Sequence, residues 1–343
     1  MLFLSREDVM KAGGLETEKA MEDVKASILA YRYGKSLETQ NVLAWTASPQ
    51  EDDLGRLNIR GACMPRQCPE DIGLCGLKWT GSFSRNPIEH NLPRAIAGIV
   101  LLNPETGAPV TIMDGTLISS VSNGARVGLA AQYLARKDCA TLGIVGAGVM
   151  AKSILTFLVS VLKELRSVKV YSRTRKHASL LAGCVQKNGI ESIAVGSVKE
   201  AVESSDVILT ATSRTTTDPI VKSSWIKDGS FYILYGWNEP EETVVLNSDK
   251  IVVLNWELIK HREKNMLYLM YRKGIISEDD IWAELADIID GKKSGRETAE
   301  ERIFFTSGGI AITDAVIASR IYNSALKRNI GKELLFWEQP HVR

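Results

Sequence analysis

"TLGIVGAGVMAKSILTFLVSVLKELRSVKVYSR", residues 141–173, decides the fold. Residues 141–146 are a short apolar run with the look of a buried strand, 151–166 have helical periodicity, and 167–173 read as a second strand. Between the first strand and the helix lies Gly146-Ala147-Gly148-Val149-Met150-Ala151. In that setting Gly146 allows a tight turn, Gly148 lets the backbone approach a pyrophosphate, and Ala151 permits close helix–strand packing. The diphosphate then rests on the helix N-terminus formed by Val149 and Met150. A bare GxGxxA is weak evidence, and a tight turn without a ligand is its plain alternative. Strand, loop, helix and strand in this order point to a dinucleotide site.

The second strand ends at Ser172-Arg173-Thr174-Arg175-Lys176, about 26 residues beyond Gly146. NAD enzymes usually place a carboxylate there, on the ribose 2′-hydroxyl. Three cations and two hydroxyls suit a 2′-phosphate instead, so NADP(H) is expected in preference to NAD(H). Downstream, 205–213, 231–237 and 250–256 are further apolar strands alternating with helical stretches. That pattern predicts a doubly wound parallel sheet covered on both faces, of the Rossmann type.

Outward from this unit the style changes. Residues 16–33 read as a helix and 73–83 as a strand, while 95–115 form two apolar runs around the turn Asn103-Pro104-Glu105-Thr106-Gly107. The tail 311–329 is a helix whose apolar stripe needs a partner outside the α/β unit. The expected architecture is therefore a Rossmann domain, 125–312, inserted into an α+β domain formed by 1–124 plus 313–343. The stretch "LISSVSNGARVGLAAQYLA", 117–135, is an amphipathic helix that carries Gly124 and Gly128 at a cost of about 1 kcal/mol each relative to Ala. Such a pair lets another backbone or a cofactor come close.

The 343 residues are 45% hydrophobic and 24% charged, with a net charge of +1. This composition argues against nucleic acid or an anionic membrane as partner, and no run of 18 apolar residues occurs. A cytoplasmic protein acting on a small molecule is expected. The five cysteines (63, 68, 75, 139 and 184) have no zinc-site spacing and the four histidines are scattered, so no metal is expected and the cysteines read as free thiols.

Three places hold candidate chemistry. Lys78 lies in the strand-like "GLKWTG" among apolar neighbours, where an ammonium needs a partner or a task; a snorkelling surface lysine is the alternative. Asn238 and Glu239 follow the strand at 231–237, at the carboxyl end where such sheets bind ligands. Glu239 is a candidate acid or base, or else part of an exposed acidic turn. Thr306 and Ser307 precede the last helix, beside a nicotinamide or simply as its cap.

The motifs "GLKWTGSFSRNP", "GIVLLNPETGAPVTIMDGTLISS", "LGIVGAGVMA" and "GGIAITD" resemble, in order and spacing, the ornithine cyclodeaminase/μ-crystallin family over about residues 2–335. Within it they are most similar to the dehydrogenases of 2,3-diaminopropionate biosynthesis, through "AGG" near the start, Met64-Pro65, Arg94, "NPET", "REK" at 262–264 and "NIG" at 329–331. The resemblance implies a Rossmann domain inserted into a substrate and dimerisation domain, a homodimer, and hydride transfer at a carbon bearing nitrogen. It implies that Lys78 sits by the substrate and that Ser172, Arg173, Thr174 and Arg175 face the 2′-phosphate. Thr212, Ser213, Ser307 and Arg94 are implied as further cofactor contacts.

The departures are as informative. The family acid/base aspartate falls at Asn238, which cannot exchange a proton, so Glu239 takes over or no such group is needed. A family carboxylate-binding arginine falls at Ser122, and another, near 42–48, is missing. Arg60 and Arg66 are replacements, and Arg126, one turn beyond Ser122, is long enough to reach back toward the vacated position; an ion pair elsewhere is its alternative. The expected function is an NAD(P)H-dependent oxidoreductase acting on the C–N bond of an amine, imine or amino-acid derivative. A cyclodeaminase-like ammonia lyase and a non-catalytic NADPH-binding protein of the μ-crystallin kind are the alternatives.

Overall fold

The computed structural model describes residues 1–39, 42–45, 55–64, 73–186, 189–213 and 218–338. Arg66 and Cys68 fall outside these. The chain forms two compact units, 1–122 with 310–343, and 123–309. The boundary at Ser122/Asn123 falls inside one continuous helix, Gly115–Leu134.

The first unit is built on a mixed sheet. In chain order its strands are β1 (Leu2–Leu4), β2 (Leu37–Glu38), β3 (Val42–Trp45), β4 (Arg56–Met64), β5 (Leu74–Ser82), β6 (Ala95–Leu102) and β7 (Pro109–Asp114). A last strand, Lys332–Glu333, returns beside β1, giving the order Lys332–Glu333, β1, β7, β6, β5, β4, β2, with β3 also on β4. The β6–β7 hairpin turns where the sequence predicts it, because the Asn103 side chain accepts hydrogen bonds from the Glu105 and Thr106 amides at 2.8 and 3.1 Å. Two helices, Thr17–Arg32 and Ala311–Lys327, pack together and the latter lies on β4, β5 and β6. The helix buries Ile312, Ile317, Ala318 and Ile321, and the strands it lies on bury Ala62, Ile99 and Leu101. The tail helix thus finds its partner in the N-terminal sheet.

Cys63 and Cys75 are direct partners across β4 and β5 and are joined as a disulfide, which corrects the expectation of free thiols for these two. Their spacing in sequence did not reveal it, because the pairing depends on strand register. Cys139 and Cys184 are free thiols.

The second unit is an all-parallel sheet. Its strands are β8 (Thr141–Val145), β9 (Ser167–Tyr171), β10 (Glu191–Ala194), β11 (Val207–Thr210), β12 (Phe231–Leu234), β13 (Lys250–Val253), β14 (Ala283–Glu284) and β15 (Ile303–Thr306). Their order is β10-β9-β8-β11-β12-β15-β13-β14, so the chain reverses direction between β8 and β11. In α/β sheets ligands bind outside the carboxyl ends of strands at such a reversal. Val207–Thr210, Phe231–Leu234 and Ile303–Thr306 are buried throughout, as unbroken apolar runs covered on both faces require. No local sequence signal marks the insertion of β15 between β12 and β13.

Gly124 answers part of the glycine question raised by the 117–135 stretch. A Cβ there would press on the Phe157 ring and lie 2.9 Å from Ser153 Oγ, so the glycine lets the Val149–Val161 helix approach. Gly124→Val is expected to destabilise the protein by about 1–3 kcal/mol through overpacking, measured by denaturant unfolding. An unchanged midpoint would mean that Phe157 moves aside freely.

Candidate active site

The nucleotide side of the site is built at the reversal between β8 and β11. Gly146 has φ +108°, and a Cβ there would strike the Ala211 carbonyl, so only glycine fits this turn comfortably. Its N–H donates to the Tyr171 carbonyl at 2.8 Å, fastening the loop to the end of β9. Gly148 is the N-cap of the Val149–Val161 helix, and a Cβ there would meet nothing within 4 Å among the described residues. The helix therefore opens with free space in front of it, as a bound diphosphate needs. Val149 is exposed, and Met150 Sδ accepts a hydrogen bond from the Tyr235 hydroxyl at 3.4 Å. Ser172 is half-buried; Arg173, Thr174 and Arg175 are exposed around the start of the Arg175–Gly183 helix, beyond β9. These residues fit a dinucleotide.

Thr212 and Ser213 leave the end of β11, next to the glycine turn. Thr212 is tied down by Glu239, which is buried rather than part of an exposed acidic turn. The Glu239 carboxylate is buried and accepts from Thr212 N at 3.0 Å, Thr212 Oγ1 at 2.7 Å and Trp237 N at 2.9 Å. Gly236 leaves room for it, since a side chain there would run into the carboxylate. Glu239 is thus a buckle between the loops after β11 and β12. Asn238 is half-buried beside it, and Ser307 is half-buried after β15.

On the first unit, alternate residues of β4 and β5 form a polar extension of the sheet face that packs under the last helix. Arg60 stands directly opposite Lys78. The Lys78 ammonium donates to Asp314 Oδ2 at 2.5 Å and to Ser119 Oγ at 3.1 Å. Its side chain is 18% exposed and that of Asp314 only 7%. Lys78 is therefore a held ammonium, and the snorkelling alternative falls. Ser122, at the position of the family arginine, is fully buried with its hydroxyl 3.0 Å from that of Thr313, so it packs the start of the last helix. Arg126 is buried and its guanidinium donates to Asn123 Oδ1, one turn back along its helix. Arg94 is exposed immediately before β6, its carbonyl accepting from Phe83 N at 2.8 Å.

Asp314 and Ser119 were not singled out in the sequence. Asp314 carried a signal, an acidic residue in the first turn of a helix that follows "GGIAIT". Among the described residues no cluster of ligands for a metal ion occurs, and no helix is long and apolar enough to cross a membrane.

The sequence profile of the ornithine cyclodeaminase/mu-crystallin family matches residues 1–329. The N-((2S)-2-amino-2-carboxyethyl)-L-glutamate dehydrogenase of Staphylococcus aureus is 29% identical over 336 residues, spanning 97% of this chain and 98% of that protein. The Delta(1)-pyrroline-2-carboxylate reductase of Thermococcus litoralis, solved in complex with NADH and L-proline, superposes with a TM-score of 0.87 at 33% identity, covering 97% of this chain and 100% of that one. An archaeal alanine dehydrogenase dimer with bound NAD gives a TM-score of 0.85 at 30% identity, covering 98% of this chain and 99% of that one.

Proposed function

Because this chain belongs to the ornithine cyclodeaminase/mu-crystallin family, we propose that it is an NAD(P)H-dependent oxidoreductase acting at a C–N bond. It reduces an imine of a 2-oxo acid or, in reverse, oxidises the corresponding amino acid or N-substituted amino acid. The observation that carries this reading is the Lys78 ammonium, anchored by Asp314 and Ser119 on a sheet face that also bears Arg60. A bound nicotinamide supplies or accepts the hydride. Lys78 orients the substrate nitrogen and offsets charge at the reacting centre, and Arg60 binds a substrate carboxylate. Unit 123–309 holds the nucleotide through Gly146, Gly148, Val149, Met150, Thr212 and Ser213, with Ser307 at the nicotinamide. The unit of 1–122 and 310–343 handles the substrate and pairs with a second copy of the chain. Arg94 is assigned to the cofactor by family resemblance alone.

NADP(H) is the preferred cofactor in this reading, supported by Ser172, Arg173, Thr174 and Arg175 and by the lack of a carboxylate at the end of β9. Arg173→Ala is expected to weaken NADPH binding about tenfold or more while changing NADH binding less than twofold, measured by fluorescence titration. Equal affinities before and after the substitution would refute the 2′-phosphate assignment. The activity is tested by following NADPH at 340 nm with Delta(1)-pyrroline-2-carboxylate, its six-membered-ring homologue, and mixtures of pyruvate or 2-oxoglutarate with 2,3-diaminopropionate. Consumption with one of these is expected. Tight NADPH binding without turnover of any would favour a binding protein, and proline formed from ornithine without net NADPH use would favour a cyclodeaminase.

A further inference from the structure

The Ala311–Lys327 helix meets Lys78 through Asp314, in its first turn. About half a turn round the helix from Asp314 lies a different face, which carries Val316, Ser319, Arg320, Asn323 and Lys327. This face lines a cavity of about 550 Å³, together with Asp23 of the Thr17–Arg32 helix and with Met64 and Leu74, which pair where β4 ends and β5 begins. All these residues belong to the unit of 1–122 and 310–343. We propose that the cavity binds a small organic acid, an apolar body bearing a carboxylate or phosphate, as a site separate from the one around Lys78.

The lining favours an anion. Among the described residues it holds three cations, Arg320, Lys327 and Arg328, against one acid, Asp23. Asp23 is already engaged, accepting from Arg320 Nε at 2.6 Å. Arg320 Nη1 also donates to the Gly13 carbonyl at 3.2 Å, and Arg328 Nη1 donates to the Lys11 carbonyl at 2.5 Å. Both guanidiniums are thus held in place by the protein, which reduces the entropy cost of meeting an oxyanion. Nearby Glu16 is paired with Lys19 at 2.5 Å.

The Lys327 ammonium has neither an ion pair nor a hydrogen bond among the described residues, and the side chains of Ser319 and Asn323 are likewise without partners there. Spaced four apart on the helix, these three put a row of donors along the wall. The partial negative charge at the helix end tolerates Lys327 and Arg328 without acids beside them. Burial raises the Asp23 carboxyl despite Arg320, a mark of weak screening, in which cations attract an anion more strongly. Met64, Leu74 and Val316 supply apolar wall, so the part of a ligand beyond its oxyanion gains by leaving water. Apolar walls with a few fixed polar groups, at this volume, are the common form of a small-molecule site.

Calorimetric titration of the full chain with 3-phenylpropanoate and with phenyl phosphate tests this. The readout needs neither nucleotide nor turnover, and it stands whether or not the chain reduces imines. Saturable binding of at least one is expected, and the tighter of the two identifies the oxyanion as carboxylate or phosphate. Inorganic phosphate, which lacks the apolar body, and 3-phenylpropan-1-ol, which lacks the charge, are each expected to bind at least about tenfold more weakly. Lys327 and Asn323 are exposed, so Lys327→Glu and Asn323→Trp leave the core intact. The first reverses a charge and the second fills the cavity, and each is expected to weaken binding at least about tenfold. Lys78→Met removes the ammonium of the other candidate site and is expected to change binding less than about twofold. Absence of saturable binding overturns the proposal. So does inorganic phosphate binding as tightly as phenyl phosphate, binding that survives both Lys327→Glu and Asn323→Trp, or binding lost in Lys78→Met.

Discussion

Replacing Lys78 by methionine is expected to lower kcat for imine reduction by about a hundred- to ten-thousand-fold while leaving NADPH affinity within about twofold. The lysine is held by Asp314 at 2.5 Å and Ser119 at 3.1 Å, so its loss removes an oriented donor rather than a wandering side chain. The same change removes the cation paired with Asp314, and breaking a buried pair costs about 3–5 kcal/mol. Activity must therefore be compared at temperatures where unfolding curves show both proteins folded. Lys78→Arg separates charge from proton transfer: it restores a cation for Asp314 but offers a guanidinium that does not give up a proton. The Arg variant is expected to recover most of the stability and little of kcat. Near-normal kcat in the folded methionine variant would remove Lys78 from the chemistry.

The second large effect concerns stability. Asp206, at the start of β11, accepts from Ala140 N and Thr141 N at 2.9 Å each and from Thr141 Oγ1 at 2.8 Å, and it pairs with Arg136 and Lys227 at 2.7 Å each. Burial pushes its pKa up, but the hydrogen bonds from Lys227, Thr141 and Ala140 outweigh burial and hold it at about 2, below the ordinary 3.8. A carboxyl depressed by folding stabilises the native state above its unfolded pKa and loses that contribution as pH falls through the folded one. Asp206 thus contributes about 2 kcal/mol at neutral pH, lost between about pH 4 and pH 2. Asp206→Asn is expected to cost about 2–4 kcal/mol at pH 7, because it also strands the two cations and a backbone donor. Urea unfolding across pH 2 to 7 checks this: the variant's acid limb should be flatter. Parallel pH curves for the two proteins would show that the Asp206 charge is not linked to folding.

The candidate nucleotide half of the site was legible along the chain as a pattern because its elements are local. A strand, a glycine turn, a helix N-terminus and the end of the next strand lie within 141–175, and each obeys a rule of short range. The candidate substrate half stood out in one residue. Lys78 stands out as a lysine among apolar neighbours, but its partners are 41 and 236 positions away, on different helices. The setting of Glu239 stayed open for the same reason. An acidic residue after a strand is equally consistent with an exposed acid and an inward buckle, and only the positions of the Thr212 and Trp237 amides decide. Gly124 announced a close approach, while Phe157 and Ser153 disclosed what approaches.

Periodicity and turn chemistry alone were enough for the parallel sheet, the hairpin at Asn103–Gly107 and the return of the last helix to the N-terminal part, since apolar runs, stripes and Asx turns act over a few residues. The disulfide of Cys63 with Cys75, the slot of β15 between β12 and β13, and the meeting of Lys78, Arg60 and Asp314 belong to the folded chain. They depend on strand register and on which helix end packs over which face. Those are settled by burial summed over the whole unit, a quantity that no short stretch of residues carries.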